Sequence, residues 1–140
     1  MTVVPFNRQH YIDMILQENQ ETQRILMTEE IMRLIEHHDG FSALDGDEVL
    51  ASAGVVELTT TRGLAWAYIS ANVGNRMLGV TRAVRRYLDM SGLKRIELDV
   101  DCDFHAAHRW AKMLGFEMEC ERRRAYTPDG RDCALYARVR

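Results

Sequence analysis

The segment Arg76-Met77-Leu78-Gly79-Val80-Thr81 lies between a stretch rich in aromatic and branched residues (64–73) and a helical apolar repeat that begins at Leu78. The leading N–H groups of a helix have no partner inside it, and a glycine among them lets another molecule approach the backbone closely. The helix dipole reinforces those groups, so the six residues are either a candidate anion site for phosphate or an ordinary strand-to-helix turn that contains a glycine. Thr81 adds a hydroxyl that either donates to the anion or narrows the cradle.

A second set, Asp99, Asp101, Asp103, His105 and His108, is dense in acids and imidazoles. Asp99 and Asp101 share one strand face, and Asp103 suits a helix cap. The two histidines have no carboxylate triad or cysteine partner at a recognised spacing, so no metal site is expected. Cys102 has no histidine base that the sequence identifies, and it reads as a small apolar filler. His37 and His38 sit at a helix end, where the dipole favours them. Arg122, Arg123 and Arg124 alternate in and out of a strand, as either a site for an acidic partner or phosphate, or a protective charged edge.

These side chains belong to a chain of 140 residues, 46% hydrophobic and 28% charged, with two prolines. That is the composition of one globular domain, expected to span residues 1–140. A net charge of -3 argues against a protein held on nucleic acid by bulk electrostatics. Cys102, Cys120 and Cys133 form neither a CxxC pair nor an even disulfide set, and no basic-then-apolar leader opens the chain. A reduced, cytoplasmic setting is expected. No apolar run approaches the roughly 20 residues that cross a bilayer, so no membrane partner is expected.

Periodicity supplies the elements. Val3-Val4-Pro5-Phe6 suits a first or edge strand because of its proline. Asn7 is a candidate cap for helical spacing over residues 8–26, which the polar run Gln17-Glu18-Asn19-Gln20-Glu21 either lines or divides. Thr28 caps a further helix that Asp39-Gly40 ends. Residues 41–44, the turn Asp45-Gly46-Asp47-Glu48 and residues 49–58 read as a hairpin, and residues 64–73 as the central strand. Val80, Val84, Tyr87 and Leu88 share one helix face, closed by Ser91-Gly92. Residues 95–101 alternate as a strand, Asp103 caps a helix to Gly115, and residues 116–126 and 133–139 form a last hairpin around Thr127-Pro128-Asp129-Gly130. Strand, helix and strand in succession imply a right-handed crossover with parallel strands.

This order of elements resembles the GNAT superfamily of N-acyltransferases over nearly the whole chain. The resemblance implies an α/β (α+β) fold with a central mixed, mostly antiparallel sheet of six to seven strands and about four helices. Arg76-Met77-Leu78-Gly79-Val80-Thr81 resembles that family's pyrophosphate loop, which has Arg or Gln, two residues, Gly, one residue, then Gly or Ala. It departs at Thr81, and at Met77 and Leu78, where the family usually has Gly and a polar or basic residue. Ala107 and Arg109-Trp110-Ala111-Lys112-Met113-Leu114-Gly115-Phe116 are similar to the family's penultimate helix, with Phe104 and Ala111 where active members often have an Asn and a Tyr acid.

The resemblance implies acetyl-CoA as cosubstrate, bound through Arg76, Met77, Leu78, Gly79, Val80 and Thr81. The backbone of residues 69–72, Ile69 and Ala71 in particular, would position the pantetheine arm and acyl carbonyl. One of Arg82, Arg85 and Arg86 would reach the 3′-phosphate. The acceptor would be an amine of a small molecule or a protein, attacking the thioester directly, with Glu57 and Tyr68 as candidate catalytic groups for its proton. The divergent GNAT-like proteins of short-tailed bacteriophages are a second resemblance, resting on the same helix, the absent Tyr and chain size. It implies instead a virion or partner-binding domain that has lost turnover. Pairing of two copies through edge strands is open to either.

Overall fold

The computed structural model describes residues 1–140. The chain forms two compact units, Met1–Val56 with Trp66–Met90, and Glu57–Ala65 with Ser91–Arg140.

The first unit opens with β1 (Thr2–Pro5), α1 (Arg8–Asp13), α2 (Glu18–Gln23), a 3-10 turn (Arg24–Leu26) and α3 (Glu29–His37). It continues with β2 (Phe41–Asp45), β3 (Glu48–Glu57), β4 (Arg62–Ile69), a second 3-10 turn (Gly74–Arg76) and α4 (Met77–Met90). The caps follow the sequence. The Asn7 side chain accepts the Gln9 N–H at 2.8 Å and Thr28 Oγ1 accepts the Ile31 N–H at 3.1 Å. β1 lies at a sheet edge, where Pro5 needs no ladder donor. Antiparallel β2 and β3 join through Gly46 at φ +61, the left-handed conformation a two-residue hairpin turn demands. On α4, Val80, Val84 and Leu88 are buried, each side chain contributing about 1.5–3 kcal/mol. Tyr87, on the same stripe, packs its ring 5.2 Å from Phe41 and donates its hydroxyl to Asp39 O.

The second unit holds the start of β4, then β5 (Arg95–Asp101), α5 (His105–Met113), β6 (Glu117–Arg123) and β7 (Cys133–Val139). Arg62, Gly63 and Leu64 of β4 pair in parallel with Arg95, Ile96 and Glu97 of β5. β7 inserts antiparallel between β5 and β6. Seven strands result, in the order β1-β2-β3-β4-β5-β7-β6, a mixed and mostly antiparallel sheet as expected.

Several boundaries differ from expectation. Residues 8–26 take the divided form of the two expected, as two six-residue helices and a 3-10 turn, and the α-helices number five. The Arg24 guanidinium donates to Tyr11 O and Met14 O at 3.1 and 2.6 Å, taking up carbonyls that the end of α1 leaves unpaired. β4 stops at Ile69 instead of reaching Val73, because the Val73 N–H turns back to Ser70 O. Asp103 does not cap α5. Its own N–H bonds Asp101 Oδ1 at 2.9 Å, and Phe104 is the residue at the cap position. β6 ends at Arg123 rather than Tyr126, since Ala125 adopts φ +49 and gives its N–H to Asp132 Oδ1.

Candidate functional site

The first unit carries the strand-to-helix junction. Beyond β4, Ser70 N–H bonds Leu50 O of β3 at 2.9 Å, Asn72 N–H bonds Ser70 Oγ at 3.0 Å, and Arg76 N–H bonds Val73 O at 3.1 Å. Gly74 takes φ +53 with open space where a Cβ would stand, so a residue with a side chain would be strained there. Its carbonyl accepts the Met77 N–H, so a 3-10 turn leads without a break into α4. Leu78 is exposed, Val80 and Thr81 are buried, and Thr81 Oγ1 donates to Met77 O at 2.8 Å. The hydroxyl is therefore turned along the helix. A Cβ on Gly79 would meet the Met1 Sδ at 3.3 Å and Cε at 3.5 Å, the movable end of an exposed side chain. Outside its own helix and chain neighbours, a Cβ on Gly79 would thus meet only Met1, while the Met77 N–H is already taken by Gly74 O.

Arg76 fixes this junction to the β2–β3 turn. Its two terminal nitrogens donate to Glu48 at 2.7 and 3.0 Å, one of them also to Asp45 at 3.0 Å, and it reaches Asn72 O at 2.6 Å and Val73 O at 3.2 Å. A planar guanidinium is suited to such a forked arrangement. The charge-assisted bonds hold the Glu48 carboxyl below its ordinary pKa.

Ile69 and Ala71 lie on the edge of β4 that faces away from β3, and residues 15–20 run along it. Gln17 N–H donates to Ile69 O at 3.1 Å, Ala71 N–H donates to Ile15 O at 2.8 Å, and Leu16 bridges Ser70. The Gln20 carboxamide completes the row, its Nε2 donating to Ala67 O at 2.7 Å and its Oε1 accepting the Ile69 N–H at 2.8 Å. Within the polar run Gln17 to Glu21, nothing in the sequence singles out Gln20 as a strand partner.

Tyr68 points from β4 into an aromatic row. Its ring meets Tyr11 edge-on at 4.7 Å and lies 5.9 Å from Trp66, which in turn meets Phe6 at 5.0 Å. Arg24 stands 4.7 Å over the Tyr11 ring. Burial, with a smaller contribution from Tyr11, pushes the Tyr68 phenol well above its ordinary pKa, so it remains protonated. The Tyr11 hydroxyl and Trp66 Nε1 are buried without a hydrogen-bond partner. Beside this row, buried Ser52 bonds buried Ser42 at 2.7 Å, and Ser42 bonds His10 Nδ1 at 2.8 Å. That nitrogen also accepts the Asn7 N–H, so Ser42 donates to it and Ser52 to Ser42.

The second unit holds the remaining sequence candidates. Glu57 ends β3 and is exposed. Ala111 is fully buried and offers no hydroxyl, while its carbonyl accepts the Phe116 N–H. The acid and histidine set is engaged piecemeal, Asp99 with Arg123 at 2.8 Å and Asp101 with Arg131. His108 bridges the Tyr136 hydroxyl and Cys102 O. In the first unit, Arg82, Arg85 and Arg86 are exposed along α4. No helix is long and apolar enough to cross a membrane.

No protein-family model and no curated protein sequence matches the chain. Solved structures do match. A probable acetyltransferase from Staphylococcus epidermidis superposes with a TM-score of 0.78 at 11% identity, over 99% of this chain and 98% of that one. A Streptococcus mutans protein gives 0.77 at 14% identity, over 99% of both chains. A chimeric spermidine N-acetyltransferase containing Vibrio cholerae sequence gives 0.71 at 14%, over 99% and 96%. At such identities the likeness is one of fold, and the fold is that of the GNAT N-acetyltransferases.

Proposed function

We propose that residues 1–140 form one domain that transfers an acetyl group from acetyl-CoA to an amine of a small molecule or protein, in a cytoplasmic setting. The observation that carries this reading is the junction itself. A strand of an acetyltransferase-like sheet runs into a helix whose first turn contains Gly79, approached only by a movable methionine tip.

In this reading the diphosphate sits at the start of α4, on the backbone around Leu78, Gly79, Val80 and Thr81, where the dipole and the missing Cβ favour it. Arg76, bound to Glu48 and Asp45, acts by holding Met77 and the preceding turn in place. Exposed Arg82, Arg85 or Arg86 supplies charge for the 3′-phosphate. The amide arm lies along β4 at Ile69 and Ala71, and aligns the thioester for attack.

The neutral amine adds to the thioester carbonyl, and collapse of the adduct expels the coenzyme thiolate. The amine must lose its proton to a base or to water for the step to complete. Tyr68, held protonated, is suited to donate to the departing sulfur or to the oxyanion, a role that Ala111 cannot fill.

The test is a thermal-shift titration followed by turnover with labelled acetyl-CoA over a panel of polyamines, amino acids and peptide N-termini. Acetyl-CoA at a hundred times its Kd should stabilise the fold by about 2.7 kcal/mol. No shift at millimolar concentration would remove the reading and leave the fold.

A further inference from the structure

The backbone from Ala67, at the end of β4, to Ala71, just beyond it, is bonded on both edges, and on one of them the partner is not a strand. A strand edge with outward N–H and C=O groups is a template for any extended chain bearing amides. Here residues 15–20 occupy that template with two backbone bonds and the two-pronged Gln20 carboxamide, which presents one N–H and one C=O as a peptide group does. A secondary amide of an incoming ligand offers the same pair.

The occupying segment is built to keep its own shape. Glu21 accepts the Leu16 N–H at 3.1 Å and pairs with Arg24 at 2.6 Å, and Arg24 in turn holds Tyr11 O and Met14 O. These bonds are internal to residues 11–24 and do not depend on β4. Within the segment Ile15 is 64% exposed and no residue but Leu16 is buried. Its buried anchor is Leu16, which packs in one cluster with Tyr11 and Met14.

We propose that residues 15–20 are a strap that closes the β4 edge and lifts from it as a unit to admit the amide arm of acyl-CoA, with Gln20 as the latch. The proposal rests on the acyl-CoA reading above. A closed strap lowers the apparent affinity by the fraction of molecules in which it is open.

Amide hydrogen exchange on the full chain tests this. Ile69 and Ala71 should exchange through a local opening, while Ser70, bonded across to Leu50, remains protected. Gln20→Ala should speed exchange at Ile69 and Ala71 by about tenfold, and tighten acetyl-CoA binding by about the same factor. Gln17→Pro removes only the donor to Ile69 O, at a φ of -56 that proline accepts, and should act in the same direction. In the saturated complex the Gln17 N–H should lose protection. Exchange of Ile69, Ala71 and Ser70 at one common rate, or a Gln17 N–H still protected at saturation, overturns the strap. If neither the wild-type chain nor the variants bind acetyl-CoA, the functional reading falls, and the ligand-free exchange rates still decide whether the strap opens.

Discussion

The indole of Trp66 occupies the space that a Cβ on Gly54 would need, with Cζ2 2.9 Å and Cε2 3.0 Å from that position. A Cβ on Gly40 would meet the same ring at 2.8 Å, so Gly54 of β3 and Gly40, just before β2, together make the floor for one side chain. Gly54→Ala should cost about 1–3 kcal/mol, the usual penalty for overpacking. Because Trp66 joins Phe6 to Tyr68, the displaced ring should also change near-ultraviolet circular dichroism. Denaturant unfolding checks the first expectation, and a variant as stable as the wild type would mean that the indole has room to shift.

Gly79 should behave in the opposite way. It lies inside the first turn of α4 without a positive φ, and the atoms a Cβ would meet are the end of Met1. Gly79→Ala should therefore stabilise the ligand-free protein by about 0.5–1 kcal/mol through helix propensity. The same methyl group would obstruct a diphosphate, so acetyl-CoA affinity should fall by at least about tenfold. Chemical denaturation beside calorimetric titration separates the two effects. A stabilised variant with undiminished affinity would move the anion site away from Gly79.

The contrast between Gly79 and Gln20 marks what the sequence carries. Gly79, the Asp45-Gly46 turn, the Asn7 and Thr28 caps and the Val80, Val84, Leu88 stripe are local signals, set by backbone conformation or helix period, and each lies where the pattern placed it. The end of β4 is not local. It depends on a pairing between Leu16 and Ser70, far apart in sequence, and the glutamine that reinforces it has the same chemistry as a solvated one. Likewise, nothing in residues 116–139 says that β7 inserts beside β5 and leaves β6 outside, since strand order is decided by which faces bury together. Asp103 shows a further limit. A good capping residue was at hand, but Asp101 took its N–H into a tighter turn first.

The clamp between Arg76 and Glu48 predicts an acid limb in the stability curve. The folded-state pKa of Glu48 is depressed, so its contribution is present above the unfolded carboxyl value near 4.5 and is lost as pH falls through the lower folded value. Melting temperature measured downward from neutral pH should drop below about pH 4.5, and Glu48→Gln should flatten part of that drop while lowering the neutral plateau. Added salt should narrow the difference, since both side chains are partly exposed. Identical acid limbs in the two proteins would show that the clamp contributes nothing to stability.

Tyr68 predicts an alkaline limb of opposite sign. Its folded-state pKa is raised by burial, so its contribution is complete below the unfolded value of 10.0 and declines as pH climbs from there toward the higher folded value. Tyr11 is raised for the same first reason, and Arg24 partly opposes the shift. Spectrophotometric titration of the folded chain should leave some tyrosines un-ionised well beyond the ordinary range, and Tyr68→Phe should remove one of them. If the protonated phenol helps the thiolate depart, Tyr68→Phe should lower kcat about a hundredfold with KM for acetyl-CoA little changed. Relief by an acyl donor whose thiol leaves more readily would identify that step. A drop in KM-dependent terms alone would instead return Tyr68 to the aromatic row as a packing residue beside Tyr11 and Trp66.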